Sequence, residues 1–149
     1  MKDVVHAKNL DRYLVIEYEG RSVKRIDIAR KDPGIPSRGS AIAKALERYL
    51  ETGKAGFSDF HPDITGMTPF ERSVLETIYR IPAGKTMTYA EVARAAGKPK
   101  AARAVGNVMA KNPIAILLPC HRVLASNGLG GYGGGLDMKA RLLQLEGSL

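Results

Sequence analysis

Apolar positions along the first third of the chain fall in short β-branched and aromatic runs. Val4 to Ala7, Tyr13 to Glu19 and Ser22 to Arg30 read as strands, and Gly20-Arg21 between the last two reads as a hairpin turn. The stretch Asp32-Pro-Gly-Ile-Pro-Ser-Arg-Gly-Ser40 interrupts regular structure. From Ala41 to Glu51 the spacing of Ile42, Leu46, Tyr49 and Leu50 is helical, and Thr52-Gly53 closes the helix. Residues 1–54 are therefore expected to form a small antiparallel sheet with one packed helix.

Residues 55–67, rich in Gly, Asp and Pro, read as a connector, and residues 68–149 as a second, mainly helical domain. Thr68-Pro69-Phe70-Glu71 supplies an N-cap, a proline at the first helical position and a glutamate at the third. The helix it opens buries Phe70, Val74, Leu75 and Ile78 and ends at Pro82 and Gly84. Thr88-Tyr89-Ala90-Glu91 repeats the capping box, and Gly97 closes a helix of about two turns. A third helix is expected from about Pro99 to Ala110. After Asn112-Pro113, the run Ile114 to Leu118 reads as a buried extended segment, Ser126-Asn127-Gly128 as a turn, and Gly128 to Gly135 as a glycine-rich loop leading into a last helix, Asp137 to Leu145.

Two short helices joined by a glycine-containing turn have the pattern of a helix-turn-helix, the second carrying Lys100 and Arg103 among Ala101, Ala102, Ala104 and Gly106. Small residues let a helix approach a DNA backbone, and equally another helix. Taken alone, the pattern favours helix packing.

Charge changes this picture. The 149 residues hold 23 Lys and Arg against 15 Asp and Glu, a net charge of +8. The excess is concentrated late: residues 98–149 carry seven basic and two acidic side chains. A basic surface fits an anionic partner, and it fits a solvated, thermally robust surface about as well. The longest apolar run is far too short to span a membrane, and the N-terminus is charged with no signal-peptide core, so no membrane association and a cytoplasmic location are expected. Cys120 is the only cysteine, and with His6, His61 and His121 scattered it matches no zinc spacing. No internal disulfide, structural metal or cofactor is expected. A lone cysteine is more often a small buried hydrophobe than a nucleophile, so Cys120 is judged by its neighbours.

Those neighbours are Pro119-Cys120-His121-Arg122-Val123, with Asn112-Pro113 before them and Gly131-Tyr132-Gly133-Gly134 after. Here the sequence resembles the O6-alkylguanine-DNA alkyltransferases, the methylated-DNA–protein-cysteine methyltransferases, whose active-site pentapeptide is Pro-Cys-His-Arg-Val. The resemblance extends in order through Thr88-Tyr89, Lys100 to Gly106, Asn112-Pro113, the tyrosine-glycine loop and Glu146-Gly147, covering roughly residues 68–147. The fold it implies is α+β, with the N-terminal sheet and helix, ribonuclease H-like, packed on a helical C-terminal lobe containing a helix-turn-helix. The implied partner is double-stranded DNA carrying O6-alkylguanine, bound by a monomer.

Transfer of an alkyl group from oxygen to sulfur needs a thiolate, because a thiol is a poor nucleophile and free cysteine is mostly protonated at neutral pH. The resemblance assigns the help to a Glu146–His121–water–Cys120 relay, following the logic of a hydrolase triad with sulfur as the nucleophile. It makes Asn112 the brace of the turn carrying Cys120. The damaged base must leave the stack, at a cost of a few kcal/mol. By resemblance Arg103 fills the hole and Tyr89 presses on the rotated nucleotide's phosphate, with Ala102, Lys100, Gly106 and Arg122 at the DNA. Tyr132, Gly133, Gly134, Met109 and Val123 are assigned to the guanine pocket. The sequence departs from part of the family at Gly133, where a serine often follows the tyrosine, so that hydroxyl contact is missing.

Rival readings are a DNA-damage-binding module without chemistry, which Cys120 argues against, and a helix-turn-helix regulator, which would need polar base-reading side chains where this helix carries Ala, Val and Gly around Arg103. A cysteine hydrolase would turn over and has no reason to carry the Lys100 to Gly106 helix.

Overall fold

Strand alternation organises the N-terminal part of the computed structural model, which describes residues 1–54 and 56–149. Position 55, the first of the expected connector, lies outside the described residues. Strands β1 (Lys2–Ala7), β2 (Arg12–Glu19) and β3 (Ser22–Ala29) form an antiparallel meander, with Val5 opposite Leu14 and Ile16 opposite Ile26. Along β2 every second residue is buried, so Leu14, Ile16 and Tyr18 share one face. Gly20, at φ +59°, makes the β2–β3 turn.

Helix α1 (Ala41–Thr52) starts where the Ser40 hydroxyl accepts the Ala43 amide and ends at left-handed Gly53. It buries Ile42, Ala43, Ala45, Leu46, Tyr49 and Leu50. Strand β4 (His61–Pro62) then pairs parallel with β3, inside a stretch expected to be irregular. Two residues of pairing leave too little hydrophobic periodicity to read.

The chain divides into two compact units, Met1–Asp63 with Pro113–Leu117, and Ile64–Asn112 with Leu118–Leu149. Pro113–Leu117 thus belongs with the N-terminal strands and not with the sequence that flanks it. The Ile26 amide donates to the Pro113 carbonyl and the Ala115 amide to the Ile26 carbonyl. The expected extended run is corrected at Ile116, whose φ of +71° turns the chain, with the Leu117 amide on the Ala115 carbonyl. All five residues from Ile114 to Leu118 are buried.

In the second unit α2 (Pro69–Tyr79) and α3 (Tyr89–Ala95) open on capping boxes at Thr68 and Thr88. Gly97, at φ +85°, turns the chain toward α4 (Ala102–Ala110), which packs on α3. This helix starts later than Pro99 because residues 98–101 form a turn of their own, the Ala101 amide meeting the Lys98 carbonyl. Two short strands, β5 (Met87–Thr88) and β6 (Val123–Leu124), pair parallel, and α5 (Leu136–Leu145) closes the unit. The architecture is α+β. Among the described residues, no helix is long and apolar enough to cross a membrane.

Candidate active site

Pro119 directs the chain into a single 3-10 turn, Cys120–Arg122, with the Cys120 amide on the Leu118 carbonyl and the Arg122 amide on the Pro119 carbonyl. Asn112 braces it from six residues away, donating its side-chain amide to the Leu118 carbonyl at 2.8 Å. The turn presents three consecutive buried side chains with different surroundings.

Cys120 is 7% exposed. Burial raises its thiol pKa, opposed by the Asn112 side-chain amide, the Lys139 charge and nearby backbone amides. His121 is fully buried, and its Nε2 stands 2.9 Å from Glu146 Oε2. Burial lowers its pKa, with Glu146 pulling the other way, so the ring is neutral at neutral pH. Its Nδ1 is buried and has no hydrogen-bond partner among the described residues.

Arg122 corrects an expectation. Placed at the DNA by sequence, it is 9% exposed and turned inward: Nε and Nη2 donate to the two Glu146 oxygens at 2.9 and 2.8 Å, and Nη1 donates to the Ile81 carbonyl at 2.6 Å. All three guanidinium nitrogens are thus engaged inside the protein, which turns the side chain away from the surface where a phosphate would be met.

A cavity of about 300 Å³ opens in this unit, lined by Tyr89, Gly106, Met109, Ala110, Cys120, Gly131, Tyr132 and Gly133. Such a volume suits a small ligand. Gly106, expected at the DNA, lines the cavity. Val123 and Gly134, expected in its wall, are corrected: Val123 is fully buried in the β5–β6 pair, and Gly134 is buried outside the lining. Gly130 sets Tyr89, because a Cβ there would stand 2.7 Å from the Tyr89 hydroxyl. Lys100 and Arg103 project into solvent with Lys98 and Lys111, and Ala102 is half-buried.

Comparison with known proteins then decides the family. The family model described as the DNA-binding domain of 6-O-methylguanine DNA methyltransferase matches residues 69–148. The chain belongs to that family. It is 40% identical over 138 residues to the methylated-DNA–protein-cysteine methyltransferase of Shigella flexneri, covering 89% of this chain and 80% of that protein. The crystal structure of the Mycobacterium tuberculosis O6-methylguanine methyltransferase superimposes with a TM-score of 0.84 at 33% identity, covering 99% of this chain and 92% of that one. The same bacterium's protein solved in complex with DNA gives a TM-score of 0.82.

One residue of this methyltransferase's centre escaped the sequence reading. Lys139, on α5, is fully buried, and its Nζ donates to the Val123 and Gly131 carbonyls at 2.7 and 3.0 Å. It thus ties the strand after Cys120 to the cavity wall. Burial lowers its pKa to about 8, with the Cys120 thiolate pulling it back up. The only signal in sequence was a lysine on the face shared with buried Met138, Leu142 and Leu143, where an exposed residue is ordinarily spared. Among the described residues, no three His, Cys, Asp or Glu side chains converge to hold a metal.

Proposed function

We infer that this chain repairs DNA by moving the alkyl group of O6-alkylguanine onto Cys120, once per molecule. The observation that carries the reading is Cys120 in the wall of a base-sized cavity while its neighbour His121 is held by a buried carboxylate. Cys120 is the nucleophile. The thiol proton passes to His121, directly or through one water, and Glu146 stabilises the imidazolium that forms. Sulfur attacks the alkyl carbon, the C–O bond breaks with its electron pair left on the guanine, and the base regains its C6 carbonyl as ring nitrogen N1 takes up a proton. The thioether left on Cys120 is displaced by neither water nor imidazole, and the chain holds no second thiol to take the group onward.

Duplex DNA is the partner, bound by a monomer. The short helices α3 and α4, joined at Gly97, support a helix-turn-helix reading, with α4 in the minor groove and the lesion flipped into the cavity. Exposed Arg103 fills the vacated stack, Lys100 and Ala102 face the backbone, and Tyr89 presses on the rotated nucleotide. Tyr132, Met109, Gly131 and Gly133 flank the base, and Asn112 holds the turn. The antiparallel meander followed by α1 supports a ribonuclease H-like reading of the N-terminal unit.

The test is a duplex oligonucleotide carrying one O6-methylguanine, supplied in excess. One equivalent of methyl per protein should arrive in a single burst, on the peptide containing Cys120, and Cys120→Ala should bind without transferring. Product beyond one equivalent, or transfer by Cys120→Ala, refutes the reading.

A further inference from the structure

Glu146 follows α5 as its C-cap, and its carboxylate is fully buried. A relay of the hydrolase type would give such a carboxylate one task, to hold the imidazole. Here Oε2 is shared between His121 Nε2 and Arg122 Nη2, and Oε1 accepts Arg122 Nε. The fork therefore uses both oxygens, and its remaining arm is tied to the Ile81 carbonyl just beyond α2. Arg122 itself does not line the cavity.

We propose that Arg122 is a positioning residue for the nucleophile, acting through Glu146 to aim the His121 ring and keep it neutral until it takes the thiol proton. Two consequences of the geometry carry this. A carboxylate bound at both oxygens by a planar fork cannot rotate, so the oxygen facing His121 Nε2 is fixed in direction and the ring's tautomer with it, the proton on Nε2 and the lone pair on buried Nδ1. Shared charge matters equally. A carboxylate facing only an imidazole in a dry site favours the imidazolium, which has no lone pair to accept a proton; the guanidinium offsets that pull. The charged groups acting on the ring are Glu146 and Lys139 from the α5 side and Arg122 from its own turn, and both cations disfavour the imidazolium. Net charge on the Arg122–Glu146–His121 trio is zero at rest and +1 after the thiol proton arrives, which faces a thiolate of −1.

This rests on the alkyl-transfer reading, and its test separates the two: if wild type transfers no methyl group that reading fails, whereas normal transfer with an indifferent Arg122 fails only the present one. Single-turnover transfer would be followed from pH 5.5 to 9 in wild type, Arg122→Gln, Arg122→Lys, Glu146→Gln and the Arg122→Gln/Glu146→Gln double variant, each first checked for folding by its melting transition. Arg122→Gln should move the acid limb of the profile up by about one pH unit, so that transfer on the limb itself slows by up to about tenfold, and, because the fork goes with the charge, it should also lower the plateau several-fold. Arg122→Lys keeps the charge without the fork, so its limb should stay near wild type while the plateau falls several-fold. In the Glu146→Gln background the Arg122 substitution should do nothing further, since its route is gone. Affinity for the duplex should stay within about twofold throughout, as expected of a residue that meets no phosphate. The proposal is overturned if Arg122→Gln lowers the rate equally at every pH, if its cost persists undiminished without Glu146, or if affinity falls in step with rate. Should Arg122→Gln not fold, Arg122→Lys decides: a plateau equal to wild type removes the fork, and a displaced limb removes the charge argument.

Discussion

In the N-terminal unit the buried Asp3 and Arg12 meet backbone groups, whereas the C-terminal unit buries His121, Arg122 and the Glu146 carboxylate against one another. Asp3 accepts from the amides of Val4, Arg38 and Ser40, and Arg12 donates to the carbonyls of Leu10 and Asp11. A charge satisfied by backbone fixes the path of the chain. A charge satisfied by another titratable side chain can pass its change of state along, because what one group gains or loses alters the next. Lys139 stands between the types, held by two carbonyls yet electrostatically coupled to the Cys120 sulfur. The difference separates structural from chemical polarity in one small protein, and substitutions can break or sharpen it.

The largest effect is expected from the coupled group. His121→Ala or Glu146→Ala should slow single-turnover transfer by about 10²- to 10⁴-fold, the range for losing a positioned proton acceptor, while duplex affinity stays within about threefold. Rapid quench for rate and a binding isotherm for affinity measure the two; equal losses in both would mean that the group merely supports the DNA surface.

Lys139→Met, similar in length and uncharged, should slow transfer by about 10- to 100-fold, because the thiolate loses a cation where little water screens it. Its stability signature has a definite sign. The folded lysine titrates near 8 and the unfolded one near 10.5, so between those values the unfolded chain binds more protons at this site and the lysine's contribution makes stability rise with pH, against the opposite slope from the raised Cys120 thiol. Below about 8 both states are protonated and no slope remains. Denaturation at pH 7.5 and 10 should therefore show the stability of wild type relative to Lys139→Met increasing with pH, since Cys120 is present in both.

Smaller effects belong to the exposed basic side chains. Arg103→Ala should weaken binding to a fully paired duplex by about tenfold and to a mismatched one by about twofold, since a mismatch has already loosened the stack that the finger fills. If Lys98, Lys100, Arg103 and Lys111 all meet phosphates, log affinity should fall against log salt with a slope of about −3 to −4, and Arg103→Ala should flatten it by about one. A flat response in wild type would remove all four from the backbone.

What could be read in advance follows the same division. The strands, α1 and the two capping boxes announce themselves by period and by local cap chemistry, which need only neighbouring residues. Cys120 and His121 were legible through a motif, and Glu146 through the same resemblance. Arg122 was misread because a sequence gives its charge and not its direction: in the motif it looks like a phosphate ligand, and only folding reveals a carboxylate across from it. Val123 failed similarly, its position in the motif suggesting the pocket while its pairing with Met87 takes it into a strand. Lys139 was passed over because a lysine in a late helix reads as solvated, and the carbonyls it satisfies come from β6 and the glycine-rich loop, which no periodicity brings together. Ile116 carries the same lesson in backbone form, since a β-branched residue at φ +71° contradicts local preference and is held there by its buried neighbours.

The weakest expected effect on chemistry comes from the N-terminal latch, and it tests the comparison most sharply. Asp3 Oδ1 accepts the Val4 and Arg38 amides at 2.8 and 2.7 Å, and Oδ2 accepts the Ser40 amide and hydroxyl at 2.9 and 2.6 Å. Burial alone would raise this carboxyl, but the combined donors of Ser40, Arg38 and Val4 hold it below the usual carboxylate value. Asp3→Asn preserves size and puts an amide NH₂ where one oxygen was, so in either orientation two donors face a donor. One of those orientations also disturbs the Ser40 hydroxyl that caps α1. Leaving such groups unpaired costs about 1–3 kcal/mol, and loosening the cap adds about 1. Because the folded pKa of Asp3 is depressed, its contribution is fully present above the unfolded value and lost as pH falls through the folded one. The gap between wild type and Asp3→Asn should therefore be widest near neutrality and close in acid. Per folded molecule, the rate of methyl transfer should remain within about twofold of wild type. A folded Asp3→Asn protein as slow as Lys139→Met would mean that the backbone-held charge also serves the chemistry, and the distinction between the two units would fall.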